Sequence, residues 1–275
     1  MTRRTSTAGR IGIAAAVAAL LVFTLFPVYW MISSAFDPDA DHRGSEVLPA
    51  GFTLDHFRQV LNEGEFTRYL ANSALVGLGT VLLSGLLALF AAVAVARFRF
   101  RMRTKVLVMI LVVQMVPLEA LVIPLFLQMR DLELLNSLIG LTIVYLAFSL
   151  PFAVWTLRGF VAAVPSEVEE AAYLDGCGWW RMFRSVLLPL VAPGLVATSI
   201  FAFITAWNEF IFAFVFMQDD SKYTAAVGLH RFFGQYSTDW GAVMAGSTLI
   251  TLPVLIFFVL VQRRLAGGLA SGAIR

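Results

Sequence analysis

A polar stretch at residues 165–189 interrupts an otherwise apolar chain, and its side chains are the best placed to bind another molecule. Ser166 followed three residues later by Glu169 is a capping-box pattern, which satisfies otherwise unpaired N–H groups at a helix start. Asp175 and Gly176 are predicted to end the same helix, because glycine adopts the left-handed C′ conformation at low cost. The pattern therefore predicts a short helix with a defined start and end.

Small and aromatic residues complete this short helix. Ala171 and Ala172 keep one of its faces flat, and Trp179 and Trp180 anchor the segment that returns toward the apolar stretches. A flat, capped helix of this kind predicts a site on which another protein docks. The same spacing is also typical of an ordinary loop helix at a membrane interface.

Two carboxylates lie inside the apolar stretches, where a charge is costly and usually faces a cavity or a partner. Glu119 follows Pro117, and Glu209 belongs to the sequence AWNEF. One hypothesis is that these groups help to line a hydrated pathway, and the alternative is that they form structural hydrogen bonds to neighbouring helices. The pathway candidates are Asn72, Gln114, Glu119, Ser149, Trp207, Asn208 and Glu209. A proton relay is not indicated, because such groups do not recur in register.

Motifs of catalysis and metal binding do not occur in the sequence. It contains no GxxxxGK[ST] phosphate loop, no HExxH and no GxSxG. The histidines are scattered, and Cys177, the single cysteine, excludes an internal disulfide. We therefore expect that the chain is not an enzyme and holds no cofactor or metal of its own.

The composition is that of a membrane protein. Of 275 residues, 59% are hydrophobic and 14% charged, whereas soluble domains have roughly 45–50% and 25%. A single all-α transmembrane domain over residues 1–275 is predicted, with six apolar stretches that each reach the about 20 residues needed to span a bilayer. They lie at residues 11–36, 69–96, 106–129, 138–160, 190–217 and 242–261. Pro117 and Pro124 predict a kink in the third.

The charges between these stretches predict the orientation of the chain. Fourteen of the 20 Lys and Arg residues lie in the N-terminal segment, at residues 97–105 and 158–185, and in the tail, and six lie in the other loops. Because cytoplasmic loops carry the excess of positive charge, both termini and the segment 165–185 are predicted to be cytoplasmic. The basic run at 97–105 is then a topological signal, and nucleic-acid binding is not indicated.

A specific motif runs through the polar stretch. Glu170, Ala171, Ala172, Gly176, Val186, Leu188 and Pro189 fit the spacing E-A-A-x3-G-x9-I-x-L-P, with Val186 in place of Ile as the only departure. In this motif the chain resembles permease subunits of binding-protein-dependent ABC importers. The segments 25–36, 96–101, 136–160, 206–210 and 262–275 are similar to the sugar-permease subgroup that includes the smaller maltose permease subunit.

The resemblance implies a carbohydrate importer in the bacterial cytoplasmic membrane. Its cargo would be a mono-, di- or oligosaccharide or an amino sugar. The implied partners are a second, non-identical permease subunit, two copies of an ABC ATPase that bind ATP and Mg, and an extracytoplasmic solute-binding protein. The alternatives are the same role for a glycerophosphodiester or other polar solute, or an ion-coupled secondary transporter. The last would predict ion ligands at mid-membrane and internal repeats, and neither is apparent.

The resemblance also implies roles for particular residues. Residues 166–176 would be a coupling helix in a groove of the ATPase, with Glu170 facing polar or basic groups of that groove. The implied coupling residues are Ser166, Glu169, Glu170, Ala171, Ala172, Asp175, Gly176, Leu188 and Pro189. The loop 218–241 would reach the binding protein through Tyr223, His230, Arg231 and Tyr236. A tail made flexible by Gly267, Gly268 and Gly272 would reach toward the ATPase.

Overall fold

The computed structural model describes residues 7–63, 65–234 and 236–270. Within these ranges the chain is nearly all helical, and its only extended pairing is an isolated bridge between Phe233 and Thr238. The predicted all-α class is therefore confirmed.

The helices follow one another with short connections. In chain order they are α1 (Thr7–Ala35), α2 (Asp55–Glu63), α3 (Phe66–Arg97), α4 (Arg103–Val113), α5 (Val122–Asp131), α6 (Leu138–Ala163), α7 (Ser166–Leu174), α8 (Trp179–Met182), α9 (Leu188–Asn208), α10 (Ile211–Phe216), α11 (Ala225–His230) and α12 (Trp240–Ala270). Short 3₁₀ turns occupy Leu118–Leu121 and Asp220–Lys222, and a π turn occupies Phe183–Leu187.

Five continuous helical segments in the described residues are long and apolar enough to cross a membrane. A sixth crossing exists if the bent pair of Arg103–Val113 and Leu118–Asp131, which meet at 94°, is counted as one span. The third span was predicted as one kinked helix, but it is broken into two. Pro117 lies at the break in an extended conformation (ψ 126°), and it has no N–H to continue the helical hydrogen bonding. Pro124 adds no kink, because it lies in the first turn of α5.

Two predicted span ends lie about nine residues from the helix ends in the structure. The fifth span was predicted to run to residue 217, but α9 ends at Asn208 and α10 follows as a separate helix. The sixth was predicted to end at residue 261, whereas α12 continues to Ala270. Gly267 and Gly268 therefore lie in a helix and not in a flexible tail, and Gly272 lies outside the described residues. The cytoplasmic placement of the termini stays a prediction.

The chain divides into two compact units. The first comprises residues 1–66 and 229–252, and its loop between α1 and α2 is folded around a buried ion pair. Arg43 lies 3.6 Å from the Asp37 carboxylate, with both side chains at most 3% exposed. The Arg43 guanidinium also donates to the hydroxyls of Ser33 and Ser34 and lies 4.3 Å from the ring centre of Trp30.

The second unit comprises residues 67–228 and 253–275 and contains two apolar clusters. One cluster joins α3, α6, α7 and α9 through residues such as Ala88, Leu157, Ala172 and Val191. The helices α6 and α9 approach closely at Gly194, where an added Cβ would come within 2.6 Å of the Phe160 ring. This cluster holds the predicted docking helix against the spans.

Candidate functional site

The helix α7 begins without the predicted capping box. Pro165, with ψ 138°, occupies the N-cap position, and no side chain caps this end. The exposed Ser166 is the first residue of the helix. The prediction is wrong because the carboxylate of Glu169 is held by Arg97 and does not turn back toward the start of α7.

Arg97 bonds to two other helix ends at once. Its Nη2 and Nε atoms lie 2.6 and 2.7 Å from Oε1 of Glu169, and Nη2 also donates to the carbonyl oxygen of Val164 at 2.8 Å. The side chains of Arg97 and Glu169 are only 19% and 12% exposed. In the sequence Arg97 is one member of the basic run 97–105. Only its place at the end of α3 distinguishes it from the other basic residues of that run.

The end of α7 is as predicted. Gly176 has φ +80°, a conformation that glycine adopts without a Cβ penalty. Its N–H donates to the carbonyl of Tyr173, and the N–H of Cys177 donates to that of Ala172, both at 3.0 Å. These two bonds form a Schellman motif. No atom lies within 4 Å of a Cβ placed on Gly176, so the requirement for glycine here is conformational and not steric.

The two alanines do not form one flat face. Ala172 is 7% exposed and packs in the apolar cluster, whereas Ala171 is exposed. Successive residues of an α-helix point about 100° apart, because each turn contains 3.6 residues. The free face of α7 is instead formed by the i, i+3, i+4, i+7 series Glu167, Glu170, Ala171 and Leu174, whose Leu174 side chain is 90% exposed. Asp175 is also exposed.

The return segment is aromatic, as predicted. Trp179 and Trp180 stack on Phe183 with ring centres 5.4 and 5.5 Å apart. The π turn follows, and the N–H of Leu188 donates to the carbonyl of Phe183. Pro189 then lies, exposed, in the first turn of α9, where its missing N–H is tolerated. Leu188 and Pro189 therefore start the next span and do not belong to the free face of α7.

The Glu209 carboxylate is occupied by structural hydrogen bonds. It accepts from the N–H groups of Phe212 at 2.9 Å and Ala213 at 3.1 Å, and from the hydroxyl of Tyr145. A carboxylate at a helix start satisfies N–H groups that have no partner within the helix. This bonding lies between the end of α9 at Asn208 and the start of α10 at Ile211. It favours the structural alternative for Glu209.

Asn72 is also bonded within the protein. Its amide donates to the carbonyl oxygens of Ser221 and Tyr223 at 3.0 and 2.9 Å. The neighbouring Ser73, which sequence reasoning did not select, accepts from the N–H of Ala225 at 2.8 Å. These bonds attach one end of α3 to the loop 218–228, and they favour the structural alternative for Asn72.

The remaining pathway candidates divide by exposure. Ser149 and Trp207 are buried, at 1% exposure each, and Trp207 stacks on Phe203. Asn208 is exposed but donates to the carbonyl of Ile204 on its own helix. Gln114 and Glu119 are exposed at the break of the third span. A pathway role for Gln114 and Glu119 stays a prediction.

The loop 218–241 contributes residues to both units. Tyr223 is half-buried in the second unit, with its ring centre 5.9 Å from that of Tyr69. In the first unit His230 and Arg231 are exposed, and Tyr236 is 95% exposed. Contact of these three side chains with a binding protein stays a prediction.

Comparison with known proteins gives consistent matches. The model of the family described as binding-protein-dependent transport system inner membrane component matches residues 84–270. The diacetylchitobiose uptake system permease protein DasC of Streptomyces coelicolor is 40% identical over 269 residues, which cover 97% of this chain and 98% of DasC. The trehalose transport system permease protein SugB of Mycobacterium tuberculosis is 35% identical over 255 residues, 92% of this chain and 93% of SugB.

Solved structures agree with this match. A chain from the crystal structure of a bacterial ABC transporter involved in the import of the acidic polysaccharide alginate aligns with a TM-score of 0.80 and 25% identity. The alignment covers 95% of this chain and 99% of that chain.

Proposed function

The chain belongs to the family of binding-protein-dependent transport system inner membrane components, and on this basis we propose that it is a carbohydrate-transporting permease subunit of an ABC importer. Such a subunit is a multi-pass protein of the cytoplasmic membrane, and it transports without catalysing a reaction. Energy comes from the hydrolysis of ATP, which two copies of a partner ATPase bind together with Mg. A second, non-identical permease subunit completes the translocation pathway.

The geometry of α7 is the main support for its proposed role in coupling the ATPase to the spans. Its inner face is fixed by Glu169 and Ala172, and its outer face presents Glu170, Ala171 and Leu174. Leu174 is 90% exposed on a helix outside the apolar spans, and a partner that removed this side chain from water would be stabilised by the hydrophobic effect. A groove of the ATPase that receives this face would bury Leu174 and pair with Glu170.

The surface of α1 is available for contact with the partner permease and with lipid. None of its most apolar window is buried within the chain, so this helix contacts something outside the chain along most of its length. The exposed loop residues His230, Arg231 and Tyr236 are proposed to contact an extracytoplasmic solute-binding protein that delivers the cargo.

A carbohydrate is the proposed cargo because several relatives are carbohydrate permeases by name. DasC is described for diacetylchitobiose uptake and SugB for trehalose transport. A mono-, di- or oligosaccharide or an amino sugar fits this set.

The proposed mechanism is alternating access. ATP binding closes the two ATPase subunits, and the docked α7 transmits that movement to α3, α6 and α9. Since a ligand shifts a conformational equilibrium only through different contacts with the two states, the contact of α7 with the ATPase must differ between them. ATP hydrolysis then resets the inward-open state.

Reconstitution tests this function. The chain, its second permease and its ATPase are placed in liposomes with the binding protein, and uptake of labelled diacetylchitobiose, trehalose and maltose is measured. Uptake that requires both the binding protein and ATP supports the proposal. Uptake that continues without ATP and is abolished by a proton ionophore would instead identify a secondary transporter.

A further inference from the structure

We propose that Arg97 is a positioning residue, which sets the orientation of α7 and makes α3, α6 and α7 move as one body. The inference rests on the proposed function, because it concerns how movement of the ATPase reaches the spans. Arg97 then has a role that differs from that of the other arginines in the basic run 97–105. Arg97 is largely buried and bonded, whereas Arg99 and Arg101 are exposed.

Three helix ends meet at the Arg97 guanidinium. It extends from the last turn of α3, it donates to the carbonyl of Val164 at the end of α6, and it pairs with Glu169 in the first turn of α7. The first two ends expose unpaired carbonyl groups, and the third exposes unpaired N–H groups. A cation suits the first two and an anion suits the third, because of the direction of the helix dipole. The planar guanidinium forms these bonds at fixed angles, so it constrains orientation as well as distance.

The consequence for α7 follows from its shortness. The helix has nine residues, of which only Glu169 and Ala172 are buried. Ala172 packs without directional bonds, so the ion pair is the directional contact that fixes rotation about the helix axis. A rotation of one residue, about 100°, would remove Glu170 and Leu174 from the surface that the ATPase contacts.

Movement of α7 is therefore transferred to two spans directly. A force on its free face acts on α3 through Arg97 and on α6 through Arg97 and the two-residue connection at Val164 and Pro165. Loss of the ion pair leaves the connection to α6 but allows α7 to turn without α3. ATP would then be hydrolysed without the full movement of the spans.

The test compares variants in the complete reconstituted importer. Arg97→Gln, Glu169→Gln and the double variant remove the ion pair, and Arg99→Gln and Glu133→Gln are matched controls at exposed positions away from the free face of α7. The measured quantities are complex yield, ATP hydrolysed per solute imported, and the alkylation rate of Cys177, the only cysteine of the chain, which is half-buried just after α7. A purely structural defect lowers import and hydrolysis in parallel and leaves their ratio unchanged.

We expect each single variant to raise the ATP cost per solute by about fivefold or more, the lower end of usual coupling factors. We also expect faster Cys177 alkylation, and a double variant no worse than either single one, because both changes remove one interaction. Ratios and alkylation rates equal to those of the two controls would overturn the proposal and leave the importer function intact. If the unmodified complex shows no ATP-dependent import, the proposed function fails, and Cys177 alkylation still decides whether Arg97 holds α7.

Arg97→Lys keeps the test decisive if the glutamine variants do not assemble. Lysine retains the charge but not the planar pair of donors, so we expect an intermediate ratio of ATP to solute. A ratio equal to that of the unmodified protein would contradict the orienting role.

Discussion

Glu169 and Glu170 are adjacent in the sequence, but they have opposite surroundings. Glu169 is buried and bonded to Arg97, whereas Glu170 is exposed on the free face of α7. Glu169 therefore attaches α7 to its own chain, and Glu170 is left available for a partner.

Substitution on the free face should weaken ATPase binding without disturbing the chain. We expect Leu174→Asp to reduce ATPase affinity by about tenfold or more, because the change loses apolar burial and introduces a charge, a cost above 1 kcal/mol. The ATPase recovered with the purified permease pair measures this effect. Leu48→Asp is the control, since Leu48 is 73% exposed in the other unit. Equal recovery from the two variants would contradict a docking role for Leu174.

Gly176 and Gly178 offer a matched pair for the end of α7. Gly176 has φ +80° and Gly178 has φ −71°, and at both positions the space that a Cβ would occupy has no other atom within 4 Å. Gly176→Ala should cost about 1 kcal/mol, the usual penalty for a left-handed residue with a Cβ, whereas Gly178→Ala should be close to neutral. Thermal unfolding of the two purified variants measures the difference. A neutral Gly176→Ala would mean that α7 does not need its Schellman motif.

The contact between α6 and α9 predicts that a methyl group added at Gly194 lowers stability and that one added at Gly159 does not. Gly194→Ala should destabilise the protein by about 1–3 kcal/mol, the usual cost of overpacking, because the added Cβ meets Phe160 at 2.6 Å. Gly159→Ala has open space around it and should be neutral or slightly stabilising through higher helix propensity. Both changes add the same methyl group within a helix. Equal melting temperatures for the two variants would show that α6 and α9 do not approach as closely as the structure has them.

Glu209 should affect stability more than cargo affinity. Glu209→Gln replaces one accepting oxygen by an N–H₂ that faces a backbone N–H of α10, and we expect a loss of about 1–3 kcal/mol, the cost of leaving a buried donor unsatisfied. Glu119→Gln, at the exposed break of the third span, should leave stability unchanged. The unfolding temperature and the KM for solute import of both variants separate the two roles. A changed KM with unchanged stability for Glu209→Gln would restore Glu209 as a pathway residue.

The sequence predicted features that depend on local patterns. Apolar length gave the spans, and Gly176 gave the end of α7, because both follow from residues close together in the chain. The capping box failed because Arg97, 72 residues from Glu169, competes for the same carboxylate.

Other features also depended on contacts that no local pattern contains. The flat alanine face failed because the apolar cluster takes up Ala172 but not Ala171. Partners distant in the sequence decided the outcome for the capping box and for the alanine face, and spacing along the chain does not identify such partners.

Cross-linking from position 174 tests the coupling role of α7 most directly. A thiol-reactive cross-linker on Leu174→Cys, in a Cys177→Ser background within the complete importer, should join this chain to the ATPase. Its yield should change between the ATP-bound and nucleotide-free states, because the contact must differ between them. Cross-links only to the second permease, or none to the ATPase in either state, would contradict the assignment of α7 as the docking helix.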